Sequence, residues 1–201
     1  MISKIGVWSR RAVIGGILAI LMGVCPVTEN SEAKAGQMDP ENTLVMQLKD
    51  GKVLIAMRPD LAPDHVARIK ELVRQGFYDG IVFHRVIAGF MAQTGDPTGT
   101  GMGGSGKKLK AEFSKEKHVR GTVSMARAQS PNSADSQFFI CLADAPWLDG
   151  QYTIWGKVVE GMEFVDHIKK GSESGNGSVR DPDKMVSVRV LADADRQKTL
   201  K

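Results

Sequence analysis

The sequence predicts a mainly β protein, a closed antiparallel barrel accompanied by two helices, and three observations lead there. Short runs rich in β-branched and aromatic residues recur along the chain. Loops of Gly, Pro, Asn and Asp separate them, and only two segments carry helical periodicity. Strands and helices do not alternate as a parallel sheet with helical crossovers would require, and many short antiparallel strands remove their exposed edges by closing on themselves.

Taken in order, Gly36 to Glu41 reads as a short polar tether. The runs from Thr43 to Leu48 and from Lys52 to Met57 flank Asp50-Gly51, a two-residue hairpin turn. Pro63 can start a helix, because its missing N–H would be unpaired in the first turn anyway. Val66, Ile69, Leu72 and Val73 then repeat at helical spacing until Gly76 stops it. Strand-like runs follow from Ile81 to Ile87, Met91 to Gln93, Thr122 to Ala126, Gln137 to Cys141, Thr153 to Val159 and Met185 to Leu191. A second helix spans Met162 to Lys169, Ser172 to Asp183 is a Gly- and Ser-rich loop, and the polar tail from Ala192 is expected to fray.

The 201 residues fit one domain with an adequate core, and 42% hydrophobic with 25% charged residues is an ordinary globular composition. Lys and Arg exceed Asp and Glu by only 27 to 23 without clustering beyond short runs such as Lys107 to Lys110, so the basicity is solvated charge and no nucleic-acid partner is implied. Lys4, Arg10 and Arg11 precede an apolar run from Ala12 to Val24, and Ala33-Lys34-Ala35 supplies small residues around a cleavage point. Residues 1–35 thus read as a secretory signal peptide, leaving 36–201 as one domain that is periplasmic or secreted, a monomer, and off the membrane once cleaved. The apolar run is 13 residues, short of the roughly 20 that cross a bilayer. Arg10-Arg11 leaves twin-arginine and general secretory export both open. Val24 before Cys25 argues against a lipoprotein. After cleavage Cys141 has no partner, so no internal disulfide is available, and it reads as a buried inert thiol.

The stretch from Phe83 to Asp96, FHRVIAGFMAQTGD, sets Arg85 among large apolar side chains, with Gln93 close behind. Alternation puts Arg85 and Ile87 on one face, and the Ala88-Gly89 step lets Met91 and Gln93 resume a common face. From Gln137 onward, Gln137, Phe139 and Cys141 share one side and Phe138 and Ile140 the other. With SMARAQSPNSADSQFFICL and WLDGQYTIWGKVVEGMEFVD, the stretch resembles the cyclophilin-type peptidyl-prolyl isomerases from about Asn42 to about Val190. The resemblance implies an eight-stranded barrel capped by a helix at each end, and a groove lined by Arg85, Phe90, Met91, Gln93, Ala126, Gln137, Phe139, Trp147 and Leu148, with Gly101 at its border. Two positions depart from the eukaryotic pattern: Tyr152 stands where it has His and can still pack against proline, and Arg127 stands where it has Asn.

The implied reaction is rotation about an Xaa-Pro amide, which needs no nucleophile, metal or cofactor. Arg85 is the candidate to polarise the prolyl nitrogen, with Phe90 and Gln93 as its catalytic neighbours. The ring would be held by Phe90, Met91, Phe139 and Leu148, and the flanking peptide by Gln93 and the backbone at Ala126 and Arg127. Partners are flexible proline-containing polypeptides, and Trp147 implies cyclosporin as an inhibitor. The rival readings are a proline-binding module without turnover and a hydrolase, the latter lacking an evident nucleophile and base. Gly101 to Lys108 resembles a P-loop but has Lys108 where a hydroxyl must reach magnesium. Ser114 to Lys117 matches S-x-x-K without companion motifs, and His65, His84, His118 and His167 have no metal-ligand spacing. Alternation turns His84 away from Arg85, so it reads as structural.

Overall fold

The computed structural model describes residues 38–193, so the signal-peptide reading of 1–35 and the tail beyond 193 lie outside the described residues. Eight strands, β1 (Thr43–Gln47), β2 (Lys52–Met57), β3 (Arg85–Ile87), β4 (Met91–Thr94), β5 (Thr122–Met125), β6 (Phe138–Cys141), β7 (Ile154–Glu160) and β8 (Ser187–Val190), form one curled antiparallel sheet in the order β3-β4-β6-β5-β7-β2-β1-β8. The ends of that order meet without a regular ladder. Just before β3 and β8, an isolated bridge joins Val82 to Lys184, and Phe83 N–H and Met185 N–H donate to the carbonyls of Asp183 and Ile81 at 2.8 and 2.9 Å. The strand expected from Ile81 is therefore regular only from Arg85, because the partner it pairs with is a loop.

Inward-pointing residues make the main core. Val86, Ala92, Ile140 and Val123 lie in one register line across four strands, and all are buried. Trp155, fully buried, meets the edge of Phe138 at 5.4 Å, and Phe138 meets Tyr78 at 5.6 Å. Such edge-to-face pairs place positive ring edges on negative faces. The Tyr78 hydroxyl donates to the Ser136 carbonyl at 3.0 Å, so its burial leaves that group satisfied.

Helix α1 (Pro63–Arg74) starts at the predicted proline and buries Val66, Ile69, Leu72 and Val73 in this core. Ala62 offers no side-chain cap, and the Glu112 carboxylate supplies one from across the fold, accepting from Asp64 N–H at 3.2 Å and His65 N–H at 3.0 Å. Helix α2 (Met162–Asp166) is shorter than the expected span to Lys169. The Lys169 amide is taken by the Asp183 side chain at 2.8 Å, which draws the chain out of helical geometry.

Three further expectations change. The hairpin tip is Lys49-Asp50, bracketed by the bond from Leu48 N–H to the Gly51 carbonyl at 2.9 Å. Gly51 is needed for space: a Cβ there would lie 2.4 Å from the Phe164 ring. The supposed tether contains a short 3₁₀ turn, Pro40–Asn42, and Glu41 pairs with Arg74 at 2.9 Å and Lys70 at 3.4 Å. At the other end Ala192 packs on the core and Asp193 pairs with Arg74 at 2.9 Å, so the first residues of the tail are held.

Candidate active site

Period two puts a second set of side chains on the outer face of the same strands. Register pairing makes Arg85, Gln93, Phe139 and Ser124 one line across β3, β4, β6 and β5, with Ile87, Met91 and Cys141 as its neighbour. Met91, Phe139, Cys141, Ala145 and Leu148 form a buried cluster separate from the main core, joined by Ile87, Phe90, Ala126 and Tyr152. Phe138 and Ile140 point into the main core, as alternation requires. Cys141 is fully buried, and burial first, then Asp144 and Asp149, push its thiol up to about 12, so it is inert.

Arg85, Phe90, Met91, Gln93, Ala126, Arg127, Phe139, Leu148 and Tyr152 line a recess of about 110 Å³. Gly101 and Gln137 line a neighbouring recess of about 400 Å³ that shares Gln93, Ala126 and Arg127 with the first. Trp147 lines neither; it stands 59% exposed with its ring 5.5 Å from that of Phe90.

The Arg85 guanidinium is clamped without being neutralised. Its Nε donates to the Asn176 carbonyl at 3.0 Å, Nη2 to Asn176 Oδ1 at 3.0 Å and Nη1 to Gln93 Oε1 at 3.2 Å. None of the ion pairs among the described residues includes it. Burial lowers its pKa, yet a guanidinium stays charged at any working pH. Three of its five N–H groups are engaged by these bonds, which leaves one on each terminal nitrogen for a ligand.

The clamp orients a longer relay. Gln93 Nε2 donates to Gln137 Oε1 at 2.9 Å, and Gln137 Nε2 donates to the carbonyls of Gly101 and Gly103 at 3.0 and 2.8 Å. The loop supplying those carbonyls is held by buried Asp96, which accepts from the backbone of Thr98, Gly101 and Gly103. Burial alone would raise that carboxyl, but these bonds and the Thr98 hydroxyl outweigh it and hold its pKa far below the ordinary range. The Arg127 guanidinium donates to the carbonyls of Ala128, Gln129 and Gln151 and lies 4.6 Å over the Tyr152 ring, so it braces the wall of the recess.

Asn176 was not found from sequence. Gly-Asn-Gly at 175–177 signals a turn, and nothing local says that a residue 91 positions away would reach Arg85. Also unforeseen is a line of Asp149, His118 and Ser124: His118 Nδ1 lies 3.2 Å from Asp149 Oδ1, and Nε2 lies 3.1 Å from Ser124 Oγ. It resembles a hydrolase triad, but Ser124 is 0% exposed, so no carbonyl can reach its hydroxyl. His84 is buried with neither ring nitrogen hydrogen-bonded, and its ring packs toward Gly101.

Among known sequences, the family described as "Cyclophilin type peptidyl-prolyl cis-trans isomerase/CLD" matches residues 43–190. A "Probable peptidyl-prolyl cis-trans isomerase" of Brucella suis is 58% identical over 171 residues, covering 79% of this chain and 87% of the relative. A "Peptidyl-prolyl cis-trans isomerase" of Helicobacter pylori is 40% identical over 144 residues, covering 70% and 88%. Among solved structures, a cyclophilin of Hirschia baltica superposes with a TM-score of 0.69 at 29% identity, covering 78% of this chain and 76% of that one. A Cryptosporidium parvum cyclophilin-type isomerase, crystallised in the presence of the dipeptide Ala-Pro, gives 0.68 at 29% identity, covering 74% and 98%.

Proposed function

This chain belongs to the cyclophilin-type peptidyl-prolyl cis-trans isomerases, and we propose that Arg85 drives its catalysis of Xaa-Pro rotation while the adjoining apolar recess grips the proline ring. The observation that carries this is a guanidinium fixed in the lining of the recess by Asn176 and Gln93, with two N–H groups to spare and no ion pair to a carboxylate among the described residues.

The barrier to overcome is amide resonance, roughly 18–20 kcal/mol. Rotation through the twisted state breaks that resonance and returns the lone pair to the prolyl nitrogen. A cation directed at that nitrogen favours the twisted state over both planar forms, and selective stabilisation of this kind is what accelerates a reaction. Phe90, Met91, Phe139 and Leu148 would hold the pyrrolidine ring while the preceding carbonyl swings, and Gln93 with the backbone at Ala126 and Arg127, shared with the neighbouring recess, would fix the flanking peptide. No bond to protein forms, and no step requires a metal.

We also take the substrates to be flexible, proline-containing chains of exported proteins, since the basic n-region, apolar run and Ala33-Lys34-Ala35 have the order of a cleavable leader. The exposed Trp147 beside Phe90 offers an indole to cyclosporin at the edge of the recess. The test is a proline-peptide isomerisation assay with peptide affinity measured alongside. Arg85→Ala is expected to lose about 10²- to 10³-fold in kcat while binding changes far less. Cyclosporin should inhibit the wild type. Equal rates in the two proteins would sink the assignment of Arg85.

A further inference from the structure

We propose that His118 is a positioning residue for this isomerisation: it ties the arm from Ala145 to Thr153, which carries Leu148 and Tyr152, against Phe139, and so sets the width of the proline recess. The inference rests on the reading of the recess given above.

The His118 side chain is fully buried behind the recess. Its ring is stacked on Phe139 at 6.2 Å and 19°, and it meets the edge of Tyr152 at 6.4 Å. Every polar group of the residue then reaches an element that builds the site. Its carbonyl accepts from Ala145 N–H at 2.7 Å, and its own N–H donates to Asp149 Oδ1 at 2.8 Å. Nδ1 lies 3.2 Å from the same oxygen, Nε2 lies 3.1 Å from Ser124 Oγ, and that hydroxyl is 2.9 Å from the Thr153 carbonyl. The arm is thereby gripped at its start and middle, and its end lies within reach of the same Ser124 hydroxyl. A phenylalanine could fill the same space, but only a ring with nitrogens on two sides spans from Asp149 to Ser124.

The proton inventory agrees with a neutral ring. The charged groups facing it are Asp149 and, behind it, Lys117, whose Nζ is 3.1 Å from Asp149 Oδ2; Ser124, Phe139, Tyr152 and the Thr153 carbonyl are uncharged. Burial lowers the imidazole pKa against the pull of Asp149. A neutral ring with Nδ1–H donating to Asp149 leaves Nε2 as an acceptor, and the single Ser124 proton then serves either Nε2 or the Thr153 carbonyl, one at a time.

Full kinetics of proline-peptide isomerisation, with kcat and KM resolved, separate positioning from packing. His118→Phe keeps the ring and cuts both ring bonds; it is expected to raise KM about tenfold while kcat falls less, because the recess widens but Arg85 stays clamped. Asp149→Ala should raise KM in the same way. Asp149→Asn keeps an acceptor for both N–H groups and should restore KM to within about twofold of wild type. If His118→Phe fails to fold, the Asp149 pair carries the test, since that side chain is 16% exposed and lies outside the core. A lower melting temperature with unchanged KM in both His118→Phe and Asp149→Ala would overturn the proposal while leaving the function of the recess intact. A wild-type chain without turnover would overturn both.

Discussion

At the scale of single residues, the site depends on how a cation is kept beside a greasy surface without a counterion. Arg85 lines the recess with three of its N–H groups taken by two neutral acceptors, Asn176 and Gln93, whereas a carboxylate would neutralise the charge that the proposed stabilisation of a twisted amide would use. Asn176 therefore matters although it lies outside the recess lining, and its φ of +52° suits an asparagine in a turn. Asn176→Ala removes the Oδ1 acceptor and is expected to lower kcat about tenfold with little change in peptide affinity, since small misplacements of a catalytic group are costly. Measured kcat equal to wild type would show that the backbone carbonyl and Gln93 suffice. Arg85, Phe90 and Gln93 were readable from sequence because they share one short stretch. Asn176 and His118 were not, because each acts through a partner distant in the chain or across strands.

At the scale of elements, β4 must run straight from the recess into a sharp turn that brings Gln93 beside Gln137. Gly95 makes that turn at φ +90°, and a Cβ there would lie 2.4 Å from the Ser136 carbonyl oxygen, so both the backbone angle and the space demand glycine. Gly95→Ala should cost about 1–3 kcal/mol by strain and crowding. It should also weaken peptide binding as Gln137 is pushed from Gln93, which denaturant melts and peptide titration would detect together. A substitution without effect on either would mean that the close approach relaxes freely. Alternation alone sorted Phe138 from Phe139 correctly. The hairpin tip was misplaced by one residue, because Gly51 reads as turn chemistry but answers to the Phe164 ring, a neighbour that sequence does not reveal.

At the scale of the whole molecule, burial of titratable groups ties stability to pH. Burial lowers the pKa of both His84 and His118 below the ordinary value of about 6.5, so the unfolded chain takes up more protons than the folded one as pH falls through that value. Asp96 has the opposite charge but the same direction of effect: its depressed carboxyl stabilises the fold fully above about pH 3.9, and that contribution is lost as pH falls further. The melting temperature is thus expected to decline below about pH 6.5 and more steeply below about pH 4. A His84→Phe variant should flatten the upper part, and a wild-type melt unchanged between about pH 7.5 and 5 would contradict it. Sequence by itself determined the strand count, the order of elements and the two faces of each strand, because period and turn chemistry are local properties of the backbone, while the expected lining of the recess rested on resemblance as well. Only tertiary structure decided that the sheet's ends meet through a bridge, that α1 is capped by Glu112, and that Arg85 is held by Asn176. Each of those contacts joins residues far apart in the chain, and closure in space, not spacing in sequence, brings them within hydrogen-bond reach.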